Sequence, residues 1–182
     1  MLRGERVTLR PWHAADRAPF AALNADPDVM EHFPAPLSAE QSDAMIVRAQ
    51  ALMDERGWGS WALEIDGALA GFTGLTRPGF EAHFTPCVEI GWRLARPYWG
   101  HGYASEAARL ALAYGFETLG FDEIVSFTAT TNVRSQAVMQ RLGMQHDPTD
   151  DFDHPALPAG HRLRRHVLYR LPRSRWPHSI SS

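Results

Sequence analysis

The chain has 182 residues, of which 45% are hydrophobic and 21% are charged, proportions that are ordinary for a globular protein of one domain. Its formal net charge of −3 gives no reason to expect binding to nucleic acid or to an anionic membrane. The single cysteine excludes an internal disulfide, and no apolar run is long enough to span a membrane. We therefore expect a cytoplasmic protein with one domain over residues 1–172 and a frayed tail over residues 173–182.

The first half of the chain predicts short strands and amphipathic helices. Alternation of apolar and polar residues marks the strands, and Asp66-Gly67 is a hairpin turn signal between two of them. Ser38 and Gln41 have the spacing of a capping box, and Gly57 ends the helix that they begin. We expect strands at 5–10, 58–65 and 68–75, helices at 16–24 and between Ser38 and Gly57, and a proline-containing loop at 32–37.

The centre of the chain has the order strand, glycine loop and helix. Residues 88–94 alternate, which predicts a strand, and Pro97 ends regular pairing because it lacks an N–H donor. Gly100 and Gly102 follow, and residues 103–119 are strong helix formers without proline. The free N–H groups of a helix start, beside glycines, form a cradle for phosphate or pyrophosphate. An ordinary strand-to-helix turn also uses two glycines, so the spacing alone leaves both interpretations open.

The last part of the chain predicts another strand and a capped helix. Residues 123–129 are short and rich in β-branched residues. Asn132 has the position of an N-cap for a helix at 133–142, and Gly143 ends that helix. We further expect an exposed loop at 147–160, which holds four aspartates and three prolines, and a last strand at 164–171.

Two segments resemble the GNAT superfamily of N-acetyltransferases. Residues 98–107, which read Tyr-Trp-Gly-His-Gly-Tyr-Ala-Ser-Glu-Ala, resemble the loop whose backbone amides hold the pyrophosphate of acyl-CoA. Their form is similar to the branch that contains the ribosomal-protein N-terminal alanine acetyltransferases. Residues 131–144 resemble the family's N-x-x-S…L-G-F/M segment, which packs against the pantetheine and adenine side of CoA. Two positions depart from the pattern, because Pro97 replaces a Gln or Arg and His101 replaces a frequent lysine.

The resemblance implies a single α/β domain of the GNAT-like fold, with a mixed, twisted central sheet splayed at the acyl-CoA strand and helices on both faces. It implies acetyl-CoA as co-substrate and no metal. The backbone of the central strand is expected to pair with the pantetheine arm, and an N–H near Leu94 is the candidate donor to the thioester oxygen. The expected cofactor-binding residues are Trp92, Arg93, Leu94, Trp99, Gly100, His101, Gly102, Tyr103, Ala104, Asn132 and Ser135.

Glu89 on the central strand is the candidate general base, because it matches an acidic position in the related branch. The amine acceptor must lose a proton before or during attack on the thioester. An α-amino group, with a pKa near 8, is easier for a base to deprotonate than a lysine side chain, whose pKa is near 10.4. The alternative interpretation of Glu89 is a strand carboxylate that pairs with an arginine.

Ser135 is the second candidate catalytic residue. Related enzymes often protonate the leaving thiolate with a tyrosine, but that position corresponds to Met139, which cannot donate a proton. Ser135 is the remaining donor on this helix, and its alternative role is to satisfy free N–H groups of the first turn. Asn132 is likewise either a contact to CoA or only a helix cap.

Several other features predict no chemistry of their own. The nine histidines show no metal-ligand spacing, and Cys87 is expected to be a buried, inert thiol. Trp58 and Trp61 lie where family members line the acceptor groove, although alternation predicts that at least one of them is in the core.

The resemblance predicts N-acetyl transfer from acetyl-CoA to a primary amine, with a protein or peptide N-terminus as the favoured acceptor. The alternatives are a small amine, such as an amino acid, a polyamine or an antibiotic, and a module that binds acyl-CoA without turnover. Homodimers are common in the related branch, so a homodimer is a further expectation, and neither nucleic acid nor a membrane is an expected partner.

Overall fold

Nine strands form one mixed sheet in the computed structural model, which describes residues 1–177. Helices cover both faces of this sheet, as the sequence predicts. The strands are β1 (Leu2–Arg3), β2 (Thr8–Arg10), β3 (Ser60–Ile65), β4 (Ala68–Thr76), β5 (Glu89–Leu94), β6 (Glu123–Ala129), β7 (Gln145–His146), β8 (Phe152–Asp153) and β9 (Arg165–Pro172). The α-helices are α1 (Arg17–Ala25), α2 (Ala39–Arg56), α3 (Tyr103–Ala113) and α4 (Val133–Arg141).

The sheet is splayed at β5, which confirms the expected GNAT-like architecture. The strand order is β1-β2-β3-β4-β5-β6-β9-β7, and β8 pairs with β9. Among the described strands, β5 and β6 are the one parallel pair, and they meet only where Glu89 lies opposite Val125. Beyond that point the two strands diverge, and a cleft opens between them.

The two faces of the sheet have separate cores, because side chains along a strand alternate between faces. On one face, α3 lays its small residues Ala107, Ala108 and Ala111 against Leu75 and Ile90 of the sheet. On the other face, α1 and α2 pack an aromatic and aliphatic cluster over the β3–β4 hairpin. The cleft reaches this second face of the sheet beside the helices, where Glu89 and Arg93 of β5 line it.

The predicted caps are observed. Ser38 Oγ accepts a hydrogen bond from the backbone N–H of Gln41 at 3.2 Å, and Gln41 Oε1 accepts one from the backbone N–H of Ser38 at 2.8 Å, which completes the capping box. Gly57 ends α2 in the left-handed conformation with φ of 78°. Asn132 caps α4 through the backbone N–H of Ser135.

The structure corrects two predicted boundaries. The helix expected over 103–119 is α-helical only to Ala113 and continues as a π-helix over Tyr114–Thr118. Gly115 lies in this turn, where a Cβ would come within 2.7 Å of Ile124 Cδ1, so the turn rests directly on the sheet. The strand expected at 5–10 is shorter, because the backbone N–H of Arg6 bonds to the Glu106 side chain and not to a strand.

The last two corrections concern segments that were expected to be exposed. The acidic loop at 147–160 contains β8, where Phe152 is buried against Phe84 and Phe127. The tail expected from residue 173 is ordered over its described part, because Trp176 packs on Phe116 at 5.5 Å between ring centroids. Trp176 also donates a hydrogen bond to Glu117 at 3.0 Å. Residues 178–182 of that predicted tail lie outside the described residues.

Candidate active site

A cleft of about 1770 Å³ runs between β5 and β6, from the glycine loop to the face of β5 beside α1 and α2. Most of the predicted site residues line it, including Glu89, Trp92, Leu94 and Ser135. The two halves of the cleft differ in character. The end beside α3 and α4 carries free backbone amides and arginines, and the opposite end is aromatic.

The open edge of β5 offers backbone groups to this cleft. Val125 N donates to Val88 O at 2.8 Å, and Ser126 Oγ donates to Ile90 O at 2.9 Å, so the backbone groups of these two residues face β6. Because the pattern alternates along a strand, those of Trp92 and Leu94 face the same way, beyond the point where β6 departs. The carbonyl of Leu94 is used by Trp99 Nε1 at 2.8 Å, which leaves the Leu94 N–H as the donor.

Arg93 departs from the sequence prediction. Its backbone faces β4, where it lies opposite Phe72, so it does not belong to the edge that was expected to pair with pantetheine. Its side chain instead points to the sheet face that α1 and α2 cover, which is also the face of Glu89. A single strand read in isolation does not show which backbone edge has a neighbour.

The glycine loop has the geometry of an anion cradle. Gly100 and Gly102 have φ of 79° and 82°, the left-handed region that favours glycine. Gly102 is the N-cap of α3, and the first intrahelical bond runs from Glu106 N to Gly102 O. The N–H groups of Tyr103, Ala104 and Ser105 therefore have no helical partner, and all three residues line the cleft. These donors fit the pyrophosphate of CoA.

Arginines from separate elements line the glycine-loop end of the cleft, and one of them, Arg6, holds the loop itself. Arg6, which precedes β2, donates to the carbonyl of His101 at 2.9 Å and to Glu106 Oε2 at 2.8 Å. It also stacks on the Tyr103 ring, with Cζ 5.0 Å from the centroid. Sequence reasoning missed these residues because they come from distant parts of the chain. The arginines that line this end of the cleft are Arg6, Arg109, Arg134 and Arg141.

Glu89 lies on the floor of the cleft, where the sheet splays. Burial raises its pKa from 4.5 to about 8, and a hydrogen bond from Thr76 offsets part of that rise. Within the described part of the chain, no arginine or histidine forms an ion pair with it. The alternative of an ion-paired strand carboxylate is therefore not what the structure shows.

The start of α4 separates the roles of Asn132 and Ser135. Asn132 Oδ1 accepts from the Ser135 N–H at 3.2 Å, and its Nδ2 donates to Thr128 Oγ1 at 2.9 Å, so both ends of the amide serve the fold. Ser135 lines the cleft with its hydroxyl group on the first turn of α4. Met139 is buried one turn further along and offers no proton.

Three other side chains do not line the cleft. Trp58 and Trp61 are both buried, which agrees with the prediction that at least one of them lies in the core. Burial raises the pKa of the Cys87 thiol to about 11, which keeps it protonated and unreactive. Among residues 1–177, no group of three or more histidine, cysteine or acidic side chains is placed to hold a metal ion. None of the helices in this range is long and apolar enough to cross a membrane.

Comparison with known proteins agrees with this geometry. Residues 6–145 match the profile described as an acetyltransferase (GNAT) domain. FsC-acetyl coenzyme A-N(2)-transacetylase of Aspergillus fumigatus is 30% identical over 184 residues, covering 96% of this chain and 77% of that protein.

Solved structures share the fold. A GNAT acetyltransferase from Bacillus anthracis superposes with a TM-score of 0.78 at 24% identity, covering 95% of this chain and 98% of its own. RimL, a ribosomal alpha-N-protein acetyltransferase in complex with coenzyme A, superposes with a TM-score of 0.74 at 14% identity, covering 93% and 95%. With its domain profile, its relative and its splayed sheet in agreement, the chain belongs to the GNAT family of acetyltransferases and is an acyltransferase that uses acetyl-CoA.

Proposed function

We propose that this acetyltransferase acts on a primary amine, with the α-amine of a protein or peptide N-terminus as the favoured acceptor and Glu89 as the general base. The observation that carries the proposal is the position of Glu89. It is a carboxyl without an ion-pair partner in the described chain, on the acceptor face of the splayed strand, with its pKa raised to about 8 by burial.

The raised pKa of Glu89 suits an α-amine. A free α-ammonium group has a pKa near 8, so its proton passes to Glu89 at almost no free-energy cost. A lysine ammonium, with a pKa near 10.4, is a weaker acid by about 3 kcal/mol. The acceptor amine that best matches this base is therefore an N-terminal α-amine or another amine of low pKa.

Different parts of the cleft have different roles in the proposed reaction. The first-turn amides of α3 and the arginines beside them bind the pyrophosphate, and the open edge of β5 aligns the pantetheine arm. The neutral amine nitrogen then attacks the thioester carbonyl carbon, a C–N bond forms, and the C–S bond breaks. Of the two protons that an ammonium group loses on becoming an amide, Glu89 takes one and the departing sulfur takes the other, so that CoA leaves as the thiol. The N–H of Leu94 is the donor to the carbonyl oxygen.

Ser135 is the proposed hydrogen-bond donor to the departing thiolate. It faces the cleft on the first turn of α4, where the helix N-terminus favours negative charge. Asn132 holds that turn in place through its cap and takes no direct part.

A second acceptor class is supported by a relative. The Aspergillus fumigatus protein is named for acetyl transfer to an N(2) nitrogen of FsC, and its match covers nearly the whole of this chain. A small-molecule amine is therefore the alternative acceptor to a protein N-terminus.

Release of CoA, followed with a thiol reagent, tests the proposal. Acetyl-CoA is supplied with two panels in parallel, short peptides with free N-termini and small primary amines. We expect turnover with the peptides, a loss of about 100-fold or more in Glu89→Gln, and no change in Glu81→Gln, an exposed control outside the cleft. Turnover with small amines alone would move the acceptor to the second class. Confirmed acetyl-CoA binding without release of CoA in either panel would favour a module that binds acyl-CoA without turnover.

A further inference from the structure

Arg93 holds a buried positive charge on the acceptor side of the cleft. The residue is 8% exposed and lines the cleft. Its guanidinium lies between two aromatic rings, 4.0 Å from the centroid of Phe33 and 5.4 Å from that of Phe72. Nη1 donates to Asn24 Oδ1 at 2.6 Å, and Nε is buried without any hydrogen-bond partner.

No carboxylate of residues 1–177 forms an ion pair with Arg93. Burial lowers its pKa to about 10, so the guanidinium is still charged at neutral pH. Desolvating an ion without a counterion costs several kcal/mol, and the two rings and one amide oxygen compensate only part of that cost. A buried charge of this kind is usually paired.

The other charges along the cleft do not neutralise this one. Asp28 is paired with Arg96, Glu106 is paired with Arg6, and Glu5 directly precedes Arg6 at the glycine-loop end of the cleft. Glu89 is mostly protonated at neutral pH. The acceptor half of the cleft therefore carries a net positive charge at its buried end, which favours a ligand with a negative group.

We propose that Arg93 binds a carboxylate of the acceptor, so that the enzyme selects amines that carry an anionic group. This inference rests on the proposed function, because it defines the acceptor class for the same cleft. Unused N–H groups of the guanidinium would donate charge-assisted hydrogen bonds to the carboxylate. The aromatic rings on either side fix the guanidinium and its plane, which makes Arg93 a specificity-determining residue.

The strand geometry sets the size of that acceptor. Glu89 and Arg93 lie on the same face of β5, four residues apart, so their Cα atoms are about 13 Å apart. Side chains on one face of a strand stand roughly perpendicular to the sheet, so their ends keep about the same separation as the Cα atoms. With hydrogen bonds of about 3 Å at each end, the amine and the carboxylate of the acceptor are then separated by roughly 7 Å. A five-carbon ω-amino acid spans this distance, and so does a peptide with an acidic side chain at its second residue.

Equilibrium binding to the CoA-saturated protein tests the inference without any need for turnover. Calorimetry compares ω-amino acids of about three to six carbons with their carboxamides, and peptides that begin Ala-Asp with those that begin Ala-Asn. We expect the wild type to bind the carboxylate of a matched pair about 10- to 100-fold more tightly. A preference among the amino acids alone identifies a small acceptor, and one among the peptides alone identifies an acidic N-terminus. Either pattern supports the role of Arg93.

Matched variants test whether Arg93 is the source of the preference for a carboxylate. Arg93→Met keeps the length of the side chain between the two rings and is expected to abolish the preference, and Arg93→Gln gives the same readout if methionine prevents folding. Arg48→Met, an exposed arginine that also lines the cleft, removes the same charge and is expected to retain the preference. Equal wild-type affinity for both members of every pair, or a preference that persists in Arg93→Met, overturns the inference. Carboxylate preference without CoA release in parallel assays would keep this inference and reject the proposed function. CoA release without any carboxylate preference would keep the proposed function and reject this inference.

Discussion

Replacing Glu89 by glutamine removes a titrating carboxyl from the cleft floor and keeps its shape. The pKa of Glu89 is about 8 in the fold and 4.5 ordinarily, so the unfolded chain ionises first as the pH rises. Any stability tied to this group is fully present below pH 4.5 and is lost as the pH rises through about 8. The difference corresponds to at most about 5 kcal/mol. Because part of the residue is accessible from the cleft, we expect about 2 to 4 kcal/mol.

Thermal unfolding at several pH values measures this effect. At pH 9 we expect Glu89→Gln to melt about 5 to 10 °C above the wild type, and at pH 5 the two should nearly coincide. Glu81→Gln should follow the wild type at every pH, because Glu81 is exposed. A Tm difference that is the same at pH 5 and pH 9, or a variant less stable than the wild type at pH 9, would contradict a buried carboxyl with a raised pKa.

Three further variants test the rest of the site and the fold. Arg6→Met should weaken CoA binding about 10-fold by calorimetry, because it removes the guanidinium that holds the glycine loop through the His101 carbonyl, and an unchanged affinity relative to an Arg3→Met control would contradict this. Ser135→Ala should lower kcat about 10-fold while CoA affinity is retained, since its backbone N–H still donates to Asn132 Oδ1; an unaltered kcat would leave the hydroxyl with no catalytic role. Trp176→Ala should lower the free energy of unfolding by about 3 kcal/mol in denaturant titration, and a loss below about 1 kcal/mol would show that residues beyond 172 add little to the core.

The features that the sequence predicts correctly are those encoded locally. The capping box at Ser38 and the helix start after Gly102 need only neighbouring residues, and both are observed. The splayed sheet follows from the resemblance of the glycine loop to a known family. Its position at Glu89 agrees with the register of β5 and β6.

The features that the sequence does not predict depend on contacts between distant segments. Arg6 reaches His101 across 95 residues of chain, and Trp176 reaches a helix far before it. Phe152 sits in an acidic, proline-rich stretch, and only the aromatic cluster formed by other segments buries it. The sequence predicts that the backbone of Arg93 pairs with the pantetheine arm, but that edge of β5 is paired with the neighbouring strand β4. The part of Arg93 that lines the cleft is therefore its side chain.

The pH dependence of turnover tests the central claim, that Glu89 accepts the proton of the acceptor amine. The acceptor should be one whose free amine has a pKa well below 7, so that the amine itself does not titrate over the range studied. We predict that kcat/KM of the wild type rises with pH and levels off above about 8, as Glu89 ionises, and that Glu89→Gln is at least about 100-fold slower with no such rise. A flat wild-type profile, or the same rise in Glu89→Gln, would contradict the assignment of Glu89 as the base.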